Sequence, residues 1–421
     1  MSPTRITNVI ITPVAFRDPP LLNAVGVHEP FAIRSIVEVE TDSGIVGLGE
    51  SYGDLGHLER LRIVGEALRG VNVFSTNEML AIAASTLSGA VGADRHGLTG
   101  SINAAGTVLR VFSTFEVAAL DIQGRILGQP VSDLLGGKVR DSVPFSAYLF
   151  YKWAGHPGEV PDHFGEALTP DDIVRQARRM LETYGFQAIK LKGGVFSPDE
   201  EMDAIFALRE AFPVVPLRLD PNTAWTVATS IRVGQALDGV LEYLEDPTPG
   251  IFGMAAVARD VPMPLATNMC VVGFDQIPAA VSEGAVGVIL SDHHYWGGLE
   301  KVRQLAAICD TFDLGLSMHS NSHLGISLAA MTHVAAAVPN LTYALDTHWP
   351  WKSEDVIEPG VLNFVDGAVK VPTSPGLGVE LNRDSLAMLH EQYLRCGISE
   401  RNDTVYMQTF HPSYSAVLPR W

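Results

Sequence analysis

Between residues 146 and 346 the chain repeats one unit, and this repetition restricts the possible folds more than any other feature. Short β-rich runs occur at Ser146–Phe150, Gln187–Lys192, Leu217–Asp220, Leu241–Asp246, Leu265–Asn268, Val286–Asp292, Leu314–His319 and Leu341–Asp346, eight in all. From Lys192 through Asp220, Glu245, Asn268 and Asp292 to His319, the run ends follow one another at steps of 23 to 28 residues. That step is the length of one strand, one helix and two turns. The intervening segments carry helix start signals: Thr169-Pro170-Asp171-Asp172 precedes Ile173, Ala177, Met180, Leu181 and Tyr184, and Ser197-Pro198-Asp199-Glu200 precedes Ile205, Leu208 and Phe212. Eight such units close a TIM-type (β/α) barrel, so the expected fold class is α/β.

The residues before the repeat have another texture. Val9–Val14, Ser35–Thr41, the turn Asp42-Ser43-Gly44 and Ile45–Gly49 read as a β-meander, not as a dinucleotide fold. Between Glu59 and Leu135, apolar residues recur at helical spacing, as in Phe115, Ala118, Ala119, Ile122 and Ile126. After Val371 comes the loop-rich stretch Pro372-Thr373-Ser374-Pro375-Gly376-Leu377-Gly378, and one helix is expected near Ser385–Arg395. The expected organisation is an α+β N-terminal capping domain over residues 1–140, a barrel over 141–370, and a C-terminal segment, 371–421, that packs back on the cap.

Composition narrows the function. The 421 residues are 47% hydrophobic and 18% charged, enough apolar surface for a large core. Twenty-nine basic against 48 acidic residues give a formal charge of −19, which repels phosphate backbones and anionic lipid. No nucleic acid and no membrane surface is expected as a partner, and an anionic ligand requires a local concentration of cations. Cys270, Cys309 and Cys396 are too few and scattered for a disulfide framework and are expected to be buried thiols. The opening MSPTRITNVIITPVAF lacks a signal-peptide core, and no run reaches the ~18 apolar residues of a spanning helix. A soluble, cytoplasmic protein is expected.

In barrels of this class the reactive groups sit at the C-terminal ends of the strands. A single carboxylate at such an end usually caps a helix, but six consecutive strands ending in Lys192, Asp220, Glu245 with Asp246, Asn268, Asp292 and His319 form a pattern. In Ile189-Lys190-Leu191-Lys192, alternation puts both lysines on the face opposite Ile189 and Leu191, hence toward the barrel interior. Two ammonium groups held close in a desolvated mouth each favour proton loss, which would make a lysine a base. Asp220, Glu245 and Asn268 end adjacent strands, where their oxygens can converge on one hard cation such as Mg²⁺. His319 follows the small same-face residues Gly315 and Ser317, and Asp292 on the preceding strand can accept its ring N–H. His323 lies four residues beyond His319, the spacing of a zinc pair, but without the Glu of H-E-x-x-H it reads, like His333, as structural.

This constellation resembles the enolase superfamily and, within it, the glucarate dehydratase branch. The matching stretches include Gly26-Val27-His28-Glu29-Pro30-Phe31, Lys190-Leu191-Lys192-Gly193-Gly194, Arg218-Leu219-Asp220-Pro221-Asn222, Glu245-Asp246-Pro247, Ala266-Thr267-Asn268-Met269, His319-Ser320-Asn321 and Asp346-Thr347-His348-Trp349. The resemblance implies a small dicarboxylic acid sugar, D-glucarate or its epimer L-idarate, dehydrated to a 4-deoxy-5-keto acid with Mg²⁺ held by Asp220, Glu245 and Asn268. It implies that His319 takes the α-proton of glucarate and returns it to the departing hydroxyl, that Lys192 serves the epimer, that Asp292 orients His319, and that Lys190 helps stabilise the enediolate. His28, Tyr148, Lys190, Asn222, Ser320, Asn321, His348 and Arg401 are implied as substrate contacts. One departure stands out: where the branch can carry an acidic metal ligand about six residues beyond the Glu-Asp-Pro start, this chain has Ile251-Phe252. Alternatives are another aldarate such as galactarate, epimerisation, a metal-impaired paralogue, or a Schiff-base aldolase using Lys192. Such barrels often form closed homo-oligomers, but no interface stripe stands out in the sequence.

Overall fold

The structure, a computed structural model, describes residues 4–92 and 103–421. The first part is built from β1 (Ile6–Arg17), the short hairpin β2 (Leu22–Asn23) and β3 (Gly26–Val27), β4 (Phe31–Thr41), β5 (Val46–Tyr52), and helices α1 (Leu55–Ala67), α2 (Thr76–Thr86), α3 (Ala104–Leu127) and α4 (Val131–Leu134). The expected meander is the antiparallel sheet β1-β4-β5. The helix α3 lies across it, and a Cβ on Gly47 or Gly49 would run into the carbonyls of Ala118 and Thr114, so β5 needs glycine there to approach the helix. Phe115, Ala118, Ala119 and Ile122 are buried against the sheet, as their spacing predicts.

After β6 (Ser142–Pro144) the barrel runs through β7 (Ala147–Phe150), α5 (Pro170–Tyr184), β8 (Ile189–Lys192), α6 (Pro198–Ala211), β9 (Leu217–Asp220), α7 (Val227–Ala236), β10 (Tyr243–Glu245), α8 (Ile251–Ala258) and β11 (Leu265–Thr267). It continues through α9 (Ile277–Ser282), β12 (Val288–Ser291), α10 (His293–Trp296), α11 (Leu299–Thr311), β13 (Gly315–Met318) and α12 (Gly325–Ala337). Strands β7 to β13 form one parallel sheet in chain order. Both expected capping boxes are present, Thr169 with Asp172 on α5 and Ser197 with Glu200 on α6. The alternation also holds. Ile189, Leu191, Leu217, Leu219, Leu244, Leu265, Ile289 and Leu316 face the helical layer, whereas Tyr243, Ala266, Val288 and Leu290 form a separate interior cluster.

The eighth run differs from expectation. Segment 341–346 is not a regular strand: it pairs with the residues leading into β7 through the isolated bridge between Phe145 and Leu345. Thr342 and Tyr343 both donate to the Leu316 carbonyl, which breaks the ladder, and the Ala344 carbonyl is taken by Arg218 and Ser317 side chains at 2.8 and 2.9 Å. It nevertheless closes the barrel, since Asp346 N–H donates to Met318 O (2.9 Å) and Ser146 N–H to Leu345 O (2.8 Å).

A short pair, β14 (Phe364–Val365) and β15 (Ala368–Lys370), pairs with β6; α13 (Arg383–Cys396) and α14 (Asp403–Phe410) follow. The tail meets the first domain through Arg383 and Glu38 (2.6 Å), Gln392 and the Ala15 carbonyl (2.9 Å), and Thr404 and the Val25 carbonyl (2.6 Å). Cys270 and Cys309 are buried free thiols and Cys396 is half-buried. Among the described residues, no helix is long and apolar enough to cross a membrane.

A buried carboxyl joins α3 to the barrel. Glu116 accepts the first N–H groups of α11, from Leu299 (3.0 Å) and Glu300 (2.9 Å), and burial pushes its pKa up to about 7. The folded state thus holds this proton more tightly than an unfolded carboxyl of pKa 4.5, so the Glu116 contribution to stability falls as pH rises from 4.5 to about 7. Glu116→Gln keeps an acceptor and cannot ionise. Thermal melts between pH 5 and 8 are expected to show the variant gaining on the wild type as pH rises; a pH-independent difference would refute this.

Candidate active site

At the C-terminal mouth of the barrel, two lysines lie among four buried carboxylates. Lys190 Nζ is 2.7 and 2.8 Å from the two oxygens of Glu245, 2.6 Å from Asp346 Oδ2 and 3.7 Å from Asp220 Oδ2, over the Tyr148 ring. Lys192 Nζ is 2.6 Å from both Asp220 Oδ2 and Asn222 Oδ1. Burial opposes the charge on Lys190, but Asp346 and Glu245 outweigh it and hold its pKa well above the usual lysine value. The expectation that crowding of the two ammoniums lowers both pKa values is therefore wrong for Lys190: three carboxylates lie within 3.7 Å of its Nζ.

The expected cation donors do come together. Asp220, Glu245 and Asn268 are all buried. The Asn268 amide oxygen lies 3.2 Å from Glu245 Oε1 and 3.0 Å from Asp246 Oδ2, oxygen facing oxygen, unless the amide is turned over. Turning it would satisfy those acceptors, but the unturned amide has a good partner as well. Its Nδ2 is 3.1 Å from His319 Nε2, which accepts when the imidazole proton is on Nδ1. A cation among the three oxygens reconciles the unturned arrangement, and burial together with Asp220, Asp346 and Asp246 drives the Glu245 pKa well up, outweighing Lys190, as expected where negative charge lacks compensation. The donor set fits Mg²⁺. Asp246 itself is occupied, accepting from Thr267 Oγ1 (2.6 Å) and from the N–H groups of Asn268 (2.8 Å) and Met269 (3.1 Å). Ile251 and Phe252 open α8; Phe252 is 75% exposed, so an acidic side chain at 252 would point to solvent, whereas Ile251 is half-buried against the core.

Across the mouth, His319 Nδ1 is 3.2 Å from Asp292 Oδ2, the expected dyad. The neighbouring histidines of the motif are structural. His323 Nε2 meets Thr347 Oγ1 at 3.3 Å, and His333 bridges the Ser132 N–H and the Leu377 carbonyl.

A cavity lies above these groups. It is lined by Lys192 and His319 and by the expected contacts His28, Tyr148, Asn222, Ser320, Asn321, His348 and Arg401. Lys190 does not line the cavity; it lies fully buried among its carboxylates. The cap contributes His28, held by Asp18 at 3.0 Å. The tail contributes Arg401, paired at 2.9 Å through two nitrogens with Asp403, which also accepts from Asn23. Burial keeps His348 well below the usual imidazole value, so it presents a neutral ring to the cavity. Asn222 reaches Lys192 because the loop after β9 turns through left-handed backbone at Asn222 (φ 56°) and Thr223 (φ 61°), a strained conformation for a β-branched residue.

Sequence reasoning missed several residues. Asp346 ends the eighth run, and the rule that singled out the other strand ends would have found it. Glu201 gave no such signal. From the first turn of α6 it accepts N–H groups of Gly194 (3.0 Å), Val195 (2.8 Å) and Phe196 (3.1 Å), fixing the loop that follows Lys192.

A closed barrel with reactive groups at its strand ends and a separate α+β cap over the mouth defines the class. Residues 6–136 match the family "Mandelate racemase / muconate lactonizing enzyme, N-terminal domain" and residues 172–385 match "Enolase C-terminal domain-like". The chain belongs to the enolase superfamily. Among its relatives is a Streptomyces coelicolor protein named "Probable glucarate dehydratase", 52% identical over 99% of each chain. An enolase from Mycobacterium smegmatis in complex with tartrate is 65% identical with a TM-score of 0.96, covering 100% of this chain and 99% of its own. One from Thermobispora bispora with magnesium and formate is 63% identical with a TM-score of 0.98, covering 99% of this chain and 100% of its own.

Proposed function

We propose that this protein dehydrates D-glucarate, and its epimer L-idarate, to 5-dehydro-4-deoxy-D-glucarate in a Mg²⁺-dependent elimination. The observation that carries the reading is the placement of His319 and Lys192 on one cavity, from β13 and β8, with the oxygens of β9 to β11 between them. Asp220, Glu245 and Asn268 would hold Mg²⁺, which supplies Lewis-acid charge for a substrate carboxylate. With its proton on Nδ1 toward Asp292, His319 keeps its lone pair on Nε2; once substrate displaces the Asn268 amide, which lies 3.1 Å from it, this nitrogen takes the α-proton of glucarate and returns it to the departing hydroxyl as water leaves. Lys192 reaches the same carbon from the other face and serves L-idarate. Lys190 acts from below, fixing Glu245 and Asp346 and adding positive charge under the developing enediolate. His28, Tyr148, Asn222, Ser320, Asn321, His348 and Arg401 bind the hydroxyls and the far carboxylate. The same reading divides the chain into cap (1–140), barrel (141–370) and tail (371–421), with cap and tail excluding water from the mouth.

The relatives support this reading: a protein 52% identical over 99% of each chain bears the name "Probable glucarate dehydratase", and similar structures hold magnesium, formate or tartrate. The test is keto-acid formation from a panel of aldarates with Mg²⁺ and with EDTA. Turnover of glucarate and L-idarate that EDTA abolishes is expected. No turnover by folded, Mg²⁺-supplied protein would overturn the catalytic reading, and a preference for galactarate would overturn the substrate.

A further inference from the structure

The contacts that surround Asp292, the partner of His319, extend out of the barrel and into the cap. Asp292 Oδ1 accepts from both the backbone N–H (2.8 Å) and Nδ1 (2.9 Å) of His294, the second residue after it. The other nitrogen of His294, Nε2, is 2.9 Å from Nη2 of Arg34 on β4. A guanidinium can only donate, so His294 Nε2 must accept, and the single ring proton of His294 is on Nδ1, aimed at Asp292. Two donors then fill Asp292 Oδ1, which leaves Oδ2 for His319. Arg34 is itself fixed: Nε donates to Glu50 Oε1 at 2.9 Å, and Glu50 accepts the N–H groups of Leu324 and Ser327, both at 2.8 Å, at the start of α12. Every group in the chain is buried.

We propose that Arg34 and His294 are positioning residues which hold Asp292 and so impose the Nδ1–H tautomer on His319, making the cap a participant in the chemistry of the barrel. This rests on His319 being the base of the proposed elimination. The donors converge on Asp292: Arg34 donates to His294, His294 donates to Oδ1, and His319 donates to Oδ2. Removing the Arg34 donor leaves His294 Nε2 with only the Ser327 hydroxyl, 3.2 Å away, so the ring is held less firmly against Asp292; removing the His294 ring leaves Asp292 Oδ1 with one donor and less constrained.

Two readouts separate a positioning role from a merely structural one. The first is ¹⁵N imidazole NMR, which needs no turnover: His319 is expected as Nδ1–H in the wild type and as a mixture of tautomers in His294→Phe. The second is a comparison of reactions in folded protein. His294→Phe is expected to lower kcat for D-glucarate by about 10–100-fold with little change in KM, the range seen when a residue that orients a functional imidazole is removed. Deuterium exchange into L-idarate through Lys192 should fall far less. His294→Asn, which keeps a side-chain donor, should recover much of the loss. Should His294→Phe not fold, Arg34→Met tests the same relay from the cap. An unchanged His319 tautomer, or equal losses in both reactions, would overturn the proposal. A wild type that turns over no aldarate but shows the tautomer shift would overturn the proposed function and leave the relay standing.

Discussion

Replacing His319 with asparagine is expected to lower kcat for elimination from D-glucarate by about 10²–10⁴-fold, the range set by loss of a general acid–base group. Asparagine is smaller than histidine, and its amide can still donate toward Asp292, whose Oδ2 lies 3.2 Å from the native ring, so the fold should survive. What it lacks is a basic nitrogen at the cavity wall. Since Lys192 lines the same cavity, L-idarate should continue to exchange its α-proton with solvent while release of keto acid stops, because departure of the hydroxyl also needs His319 as acid. Keto-acid assay and proton NMR in D₂O read the two steps separately. Glucarate turnover within tenfold of wild type would remove His319 from the mechanism.

The second large effect concerns stability. Lys190 is fully buried and pairs with Glu245 and Asp346 at 2.6 to 2.8 Å. Lys190→Met preserves the bulk of the aliphatic stem and deletes the charge, leaving those carboxylates dry and mutually repelling. Removing one partner of a buried pair costs about 3–5 kcal/mol. Thermal unfolding should show a loss of that size in EDTA and a smaller one with Mg²⁺, because a cation bound to the folded state restores positive charge beside Glu245. A loss below about 1 kcal/mol, or one unaffected by Mg²⁺, would show that Lys190 does not balance this cluster.

The legible part of the fold depends on residues near in sequence. The spacing of strand ends announced the barrel, because each βα unit is a local object whose length is set by strand rise and helix turn. Alternation placed Lys190 and Lys192 inside, and the Thr169 and Ser197 caps started their helices where expected, since both effects act within four residues. The same strand-end rule identified Asp220, Glu245, Asn268, Asp292 and His319, and it would have identified Asp346. The irregular eighth segment was less legible because its backbone partners are the side chains of Arg218 and Ser317, which only the closed barrel brings to Ala344.

Charge and protonation required the tertiary structure. The two lysines two residues apart suggested lowered pKa values, but the direction at Lys190 is set by Asp346, 156 residues away. The His319 tautomer depends on Arg34, joined through His294 across 260 residues and across the boundary between cap and barrel. The sequence by itself determined the periodicity, the inward faces and the residues available for chemistry, because covalent neighbours impose those. Only the folded chain decided which charges meet and where each proton rests, because electrostatic and hydrogen-bond energies depend on distances in space that linear spacing does not contain.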